Sequence, residues 1–95
     1  ESLEAAHLPK DVIELVVRRL HALGDEAARV AGVAAVIGNR FESELLAAVT
    51  GTAQKDLVRT LEELVSSGLL ERTWGEHYAF VHDRVRESAL ERLSV

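Results

Sequence analysis

The sequence predicts a single, mainly α-helical domain with one small β-hairpin. Three observations lead to this fold class. Glycines divide the 95 residues into segments of helical length, apolar residues recur within those segments at steps of three and four, and two stretches typical of short strands flank residues 74–76. We expect residues 9–95 to form the domain and residues 1–8 to be a linker to an upstream domain that is missing from this sequence.

Two helices are predicted in the first part of the chain. Pro9 suits the first position of a helix, and Gly24 suits the position just after its end. Asp25 is the expected N-cap of a second helix, which stops at Gly38. Because residues 30–37 contain no polar side chain, we expect that part of the second helix to be buried on all sides. The apolar face of the first helix consists of Val12, Ile13, Val16, Val17, Leu20 and Leu23.

The next two helices have the order and spacing of a helix-turn-helix. Residues 39–41 are predicted to form a short extended link, with Phe41 in the core. A third helix follows over residues 43–50, and Thr52 is the expected N-cap of a fourth helix that ends at Gly68. Two helices joined by a tight, glycine-containing turn form the helix-turn-helix motif. The apolar face of the fourth helix consists of Leu57, Val58, Leu61, Leu64 and Val65.

A hairpin and a last helix complete the prediction. Residues 69–73 and 77–81 are the expected strands of a two-stranded hairpin, and residues 83–93 are the expected fifth helix. A hairpin that directly follows the second helix of a helix-turn-helix is a wing. The sequence therefore predicts a winged helix-turn-helix of about five helices and a two-stranded wing.

Composition and motifs exclude several classes of function. The chain has no cysteine, which excludes disulfides and thiolate metal sites, and no apolar run approaches the roughly 20 residues of a membrane span. Phosphate-loop, nucleophile-elbow and zinc-protease motifs are absent, so we expect a non-catalytic domain. We also expect no metal site, because the pair His82 and Asp83 has only His77 near it in the sequence.

The winged-helix prediction raises the possibility of DNA binding, and the charge pattern speaks against it. On the predicted recognition helix, Gln54, Lys55 and Arg59 are the side chains that would contact DNA. Two basic and three acidic side chains give residues 53–67 a net charge of −1, and the whole chain has a net charge of −5. Because phosphate contacts dominate affinity for DNA, we expect that nucleic acid is not a partner, and DNA binding remains the alternative.

The pair His82 and Asp83 lies where the second predicted strand meets the last helix. The free N–H groups of a helix N-terminus favour anions, and a histidine there can donate a hydrogen bond to a phosphate oxygen. In this interpretation Asp83 caps the helix or holds the imidazole in one tautomer. In the simpler interpretation Asp83 stabilises the first helical turn and His82 has no role.

Three segments resemble one protein family. Residues 78–90 (YAFVHDRVRESAL) are similar to the phenylalanine-x-histidine-aspartate-x-valine-arginine segment of the STAND regulatory ATPases. Residues 8–20 and 34–41 resemble the region that follows the nucleotide-binding domain in bacterial members, which include large LuxR-type transcriptional regulators and kinase- or cyclase-linked ATPases. Val81, His82 and Asp83 also resemble the Met-His-Asp motif of plant immune receptors, with valine in place of methionine.

The resemblance implies a regulatory role in signal transduction. It implies a winged-helix module that packs on the nucleotide-binding domain of the same cytoplasmic protein, in which His82 contacts the β-phosphate of ADP and Asp83 positions His82. The groups that bind most of the nucleotide are absent from this chain. We therefore expect no cofactor in the chain itself, with ADP or ATP bound mainly by the missing upstream domain of a parent ATPase.

Three further residues are candidates for contacts between domains. Trp74, at the tip of the predicted wing, is one, although its side chain would equally fold back onto the hairpin. Arg84 and Arg86 would pair with phosphate or with acidic partner residues, or would simply form a solvated helix face. These alternatives leave a third hypothesis open, in which the domain is a plain protein-interaction module.

Overall fold

The computed structural model describes residues 9–94, which form five helices and three strands of one sheet. The linker predicted for residues 1–8 lies outside the described residues. In chain order the elements are α1 (Lys10–Ala22), α2 (Asp25–Ile37), β1 (Arg40–Glu42), α3 (Ser43–Thr50), α4 (Gln54–Ser66), β2 (Leu70–Arg72), β3 (His77–Phe80) and α5 (Asp83–Ser94).

The predicted fold class is confirmed: the domain is mainly helical, and its small antiparallel sheet makes it a winged helix-turn-helix. The two-stranded wing is confirmed as the antiparallel pair β2 and β3, and a third strand that the sequence did not predict, β1, extends the sheet in the order β1-β3-β2. β1 occupies the stretch expected to be a link, and its Phe41 pairs with Tyr78 of β3. Three residues are too few to show an alternating pattern, so only this pairing with a distant strand defines β1. Phe41 is buried, as predicted.

Helix starts differ from the predicted caps by one residue. Pro9, Gly24 and Ala53 are the N-caps of α1, α2 and α4, and none of the three caps its helix through a side chain. Asp25 is instead the first residue of α2, where its negative charge still favours the helix N-terminus. Thr52 precedes the cap of α4. Local sequence defines helix ends only to within one or two residues.

The core is built around the apolar faces of α2 and α4. Leu57, Leu61 and Leu64 of α4 are completely buried, which confirms the predicted apolar face. The expectation that residues 30–37 are buried on all sides is wrong, because the side chain of Val36 is 61% exposed. Neighbouring elements cover the side of α2 that carries its alanines and leave the side of Val36 open.

Some large apolar side chains remain on the surface. Val12 and Leu15 extend outward from α1, and Leu45 and Val49 form a pair one turn apart on α3. Isolated exposed apolar residues are ordinary, whereas pairs on one helix face suit a contact with another protein. In residues 9–94, no helix combines the length and the apolarity needed to cross a bilayer.

Helices α2 and α5 pack closely because α2 has a glycine at their contact. A Cβ atom added at Gly32 would lie 2.9 Å from Cβ of Leu93 and 3.2 Å from the carbonyl oxygen of Ala89. Real Cβ atoms essentially never approach a neighbour to 2.9 Å, so any larger residue at this position must push the helices apart.

We expect Gly32→Ala to lower the free energy of unfolding. Overpacking costs about 1–3 kcal/mol, which outweighs the gain of about 1 kcal/mol in helix propensity. Gly24→Ala is the matched control, because nothing lies within 4 Å of its added Cβ; its stability should change by less than about 1 kcal/mol. Urea unfolding monitored by circular dichroism measures both. A Gly32→Ala variant as stable as the wild type would contradict the close packing.

Candidate functional site at the wing and the last helix

His82 directly precedes α5 and acts as its N-cap. The backbone N–H of Arg84 donates a hydrogen bond of 3.0 Å to Nδ1 of His82. The N–H groups of Val85 and Arg86 donate to the carbonyl oxygen of His82, at 3.1 and 3.3 Å. The imidazole thus takes the place that an Asn or Asp side chain usually has at a helix start. Of the roles considered for Asp83, His82 takes that of the cap, and Asp83 lies in the first turn of α5, where its negative charge is favourable.

The capping hydrogen bond also defines the tautomer of His82. A nitrogen that accepts a hydrogen bond carries no proton, so the neutral ring carries its proton on Nε2. Within residues 9–94, no hydrogen-bond partner of Nε2 is found, and the side chain is half-buried. The backbone N–H of Arg84, rather than Asp83, sets the tautomer. The result is an available N–H donor at a helix N-terminus, which can donate one hydrogen bond to an anionic oxygen.

The three charged residues after His82 differ in their surroundings. Asp83 and Arg84 are exposed, and neither side chain makes a hydrogen bond or ion pair with another described residue. Arg86 is half-buried, and its Nε donates a hydrogen bond of 2.9 Å to the carbonyl oxygen of Ala35 in the last turn of α2. A cation is favourable at that end of a helix. Arg86 therefore joins α5 to α2, and Arg84 remains the arginine available to a partner.

Trp74 folds back onto the hairpin, as one of the two interpretations expected, and it also remains exposed. Its side chain is 71% exposed at the tip of the wing, and its ring also stacks on the ring of His77, with 4.2 Å between centroids. The indole therefore folds back onto the hairpin on one side and faces solvent on the other. Trp74 lies before strand β3 and His82 lies after it, so the structure does not bring Trp74 and His82 together.

Ser43 is a buried polar residue that the sequence did not single out. Its Oγ accepts a hydrogen bond of 3.0 Å from Nε2 of Gln54 and donates one of 2.8 Å to Oε1 of Glu76. Its backbone N–H donates to the carbonyl oxygen of Glu76 as well. Ser43 thereby connects the starts of α3 and α4 with the turn of the wing. These three residues, Ser43, Gln54 and Glu76, are far apart in the chain, so no local sequence signal indicates the cluster.

The DNA-contact candidates are only partly available. Gln54 uses its amide inside the domain, as just described. Lys55 and Arg59 are exposed and form no ion pair with other described residues. Glu62 of α4 pairs with Arg72 of β2, so an arginine of the wing is neutralised by the recognition helix itself. Two free cations on α4 are few for contacts to a phosphate backbone.

The pair of Glu62 and Arg72 extends to the phenol of Tyr78. The phenol donates a hydrogen bond of 3.4 Å to Oε2 of Glu62, and the Arg72 guanidinium lies 6.0 Å from the ring centroid. Burial raises the pKa of Tyr78, while the positive charge of Arg72 partly opposes that rise. The hydrogen bond and charge of Glu62 raise the pKa of Arg72. Glu62 therefore joins α4 to the wing.

Comparison with known proteins identifies no relative: no family model, curated protein or solved structure matches the chain. Within residues 9–94, no group of three or more histidines, aspartates or glutamates is placed to hold a metal ion. Two separate candidate features remain, an N–H donor at His82 and an exposed indole at Trp74, near opposite ends of β3.

We expect His82→Ala to destabilise the domain by about 1 kcal/mol, because it removes the cap of α5. His82→Asn should retain most of that stability, because an asparagine oxygen can accept the same hydrogen bond from the N–H of Arg84. Urea unfolding of the three proteins tests the comparison. Equal losses in the Ala and Asn variants would show that His82 does not stabilise α5 as a cap.

We expect Arg72→Gln to raise the pKa of Tyr78 further, because the Arg72 cation favours the phenolate. Tyr78 is the only tyrosine, so absorbance of the phenolate reports this pKa directly. Arg84→Gln, an exposed change on α5, should leave the pKa unaltered. Because folding raises the pKa of Tyr78, the domain should also lose stability as pH rises above about 10, where the unfolded chain ionises first. A lowered pKa in Arg72→Gln would contradict this account.

Proposed function

We propose that the domain is the regulatory winged-helix module of a multidomain signal-transduction ATPase or transcriptional regulator. In this proposal it packs on the nucleotide-binding domain of the same cytoplasmic protein and contacts bound ADP through His82. The observation that supports it most is the available Nε2–H of His82 at the N-terminus of α5. The resemblance of residues 78–90 to STAND ATPases suggests the ligand.

The chemistry of a diphosphate suits this donor. A terminal phosphate carries negative charge, and a neutral imidazole that donates from Nε2 can bind one of its oxygens. The helix dipole of α5 adds a partial positive charge on the same side. The exposed Arg84, two residues later, is a cation that can face the nucleotide or an acidic residue of the partner domain. Asp83 is exposed and, in this proposal, contacts the partner domain.

Contact with another domain is supported by the apolar surface. The pairs on α1 (Val12 and Leu15) and α3 (Leu45 and Val49) expose branched side chains at helical spacing. Trp74 adds a large exposed aromatic, and such residues are enriched where proteins meet. The negative net charge agrees with a protein partner better than with a nucleic acid.

A ligand stabilises one conformation only through contacts that differ between conformations. If His82 contacts ADP only when the winged helix is closed on the nucleotide-binding domain, ADP favours the closed form. Exchange of ADP for ATP then changes the charge and the distance at this contact. The proposed output is a conformational switch, and the module performs no chemistry of its own.

The test is the dissociation rate of ADP from the full-length protein, measured with a fluorescent ADP analogue. His82→Asp keeps an acceptor for the N–H of Arg84 and removes the N–H donor, so it separates nucleotide contact from capping. We expect release at least about 10-fold faster, because a hydrogen bond to a charged group contributes about 1.5–3 kcal/mol and the new carboxylate also repels the phosphate. Glu87→Gln, an exposed change on α5, is the control and should leave the rate unaltered.

An unchanged ADP dissociation rate in His82→Asp would contradict the proposed contact. If the variant also keeps the same interdomain contact, as judged by limited proteolysis, a plain protein-interaction module would explain the domain better. A full-length protein that binds no adenine nucleotide would contradict the proposal as a whole.

DNA binding is the second candidate, and the two free cations of α4, Lys55 and Arg59, are the observation in its favour. We expect no mobility shift of duplex DNA at physiological salt, because Gln54 and Arg72 are already bound inside the domain. A shift that weakens steeply with salt and disappears in the double variant Lys55→Gln, Arg59→Gln would instead support a DNA-binding domain.

A further inference from the structure

We propose that His77 is a protonation-dependent latch that holds the exposed indole of Trp74 at the tip of the wing. Three contacts meet at this imidazole. Its Nε2 lies 3.1 Å from Oε2 of Glu42, its Nδ1 lies 3.2 Å from the carbonyl oxygen of Trp74, and its ring stacks on the indole at 4.2 Å between centroids. This inference is independent of any nucleotide contact at His82.

The number of protons on the ring decides how many of these contacts form. A carboxylate oxygen and a carbonyl oxygen are both acceptors, so each hydrogen bond requires an N–H on the imidazole. The imidazolium has two N–H groups and can donate to both oxygens. The neutral ring has one N–H and can donate either to Glu42 or to Trp74, and the other nitrogen then faces an acceptor without a proton between them.

The stack responds to the same proton. An imidazolium over the face of an indole is a cation–π pair, whereas a neutral imidazole lacks that attraction. The backbone already closes the turn, because the N–H of His77 donates to the carbonyl oxygen of Trp74 at 3.0 Å. Loss of the proton therefore weakens the hold on the indole while the turn itself persists.

The charges near His77 come from the neighbouring strands and the turn. Glu42 of β1 pairs directly with His77 across the sheet. Arg40 of β1 and Glu71 of β2 lie on the same face of the sheet as His77. Both are paired with Ala79, which is two residues after His77 in β3. Of these groups, only Glu42 contacts the imidazole.

The remaining charged groups of the wing are engaged elsewhere. The carboxylate of Glu76, in the turn, accepts a hydrogen bond from Ser43 at the start of α3. Arg72 of β2 pairs with Tyr78 across the sheet and binds Glu62, so it belongs to the opposite sheet face. Protonation of His77 is thus coupled to Glu42 on one side and to Trp74 on the other.

The experiment is a pH titration of tryptophan fluorescence in the wild-type chain. Trp74 is the only tryptophan, so its emission and its quenching by acrylamide report on the wing tip alone. Between about pH 5 and 8, where imidazoles titrate, we expect one transition. Below it the emission is lower, because an imidazolium quenches a stacked indole, and acrylamide quenching is weaker, because the indole is held.

His77→Phe is the decisive variant, because phenylalanine keeps an aromatic ring for stacking and cannot titrate. We expect the transition to disappear in it. His82→Asn and His21→Gln remove the other described histidines and should keep the transition, as should Glu87→Gln on α5. Circular dichroism at each pH verifies that the variants remain folded. A flat wild-type titration, or a transition that survives in His77→Phe, would overturn the latch.

Discussion

The close packing of α5 on α2 is the contact on which the rest of the domain depends. It requires the absence of a side chain at Gly32, because Ala89 and Leu93 occupy the space that a Cβ would need. Arg86 adds a hydrogen bond to the last turn of α2, and Arg92 lies 3.7 Å from Asp25 at the first turn. This packing fixes the direction of α5 and therefore the place where His82 begins it.

At that place one imidazole performs two tasks. Nδ1 completes the N-terminus of α5, and the same hydrogen bond leaves the proton on Nε2. The structural role of His82 and its proposed contact with a diphosphate are therefore compatible, because they use different nitrogens. For the same reason, a simple truncation of His82 alters stability and donor capacity together, and only variants that preserve the acceptor separate the two.

Several polar side chains of the helix-turn-helix and the wing bind one another within the domain. Gln54 is bound to Ser43, and Arg72 is bound to Glu62 of the recognition helix. These contacts hold the wing against α4 and give it a fixed orientation. A fixed wing with an exposed indole at its tip suits a surface that is presented to another protein.

Much of the fold and part of the candidate site could be predicted from the sequence. Glycine positions and apolar periodicity predicted the first four described helices and periodicity alone the fifth, because both signals act within a few residues. The junction of His82 with the last helix followed from the same local order. Strand β1 and the imidazole cap of α5 did not follow from local order. The strand needs a partner about 40 residues away, and the cap needs a particular side-chain rotamer of His82.

The sequence by itself determined the number and order of the helices, the hairpin, the acidic charge and the position of His82 before a helix. Only the tertiary structure decided which polar groups are free. In the folded domain Arg86 is bound to α2 and Gln54 to Ser43. Nε2 of His82 and the cations of Lys55 and Arg59 remain available, and one side of α2 is exposed at Val36. The physical reason is that a hydrogen bond or a covered surface depends on which elements meet, and distant segments of the chain meet only in the folded domain.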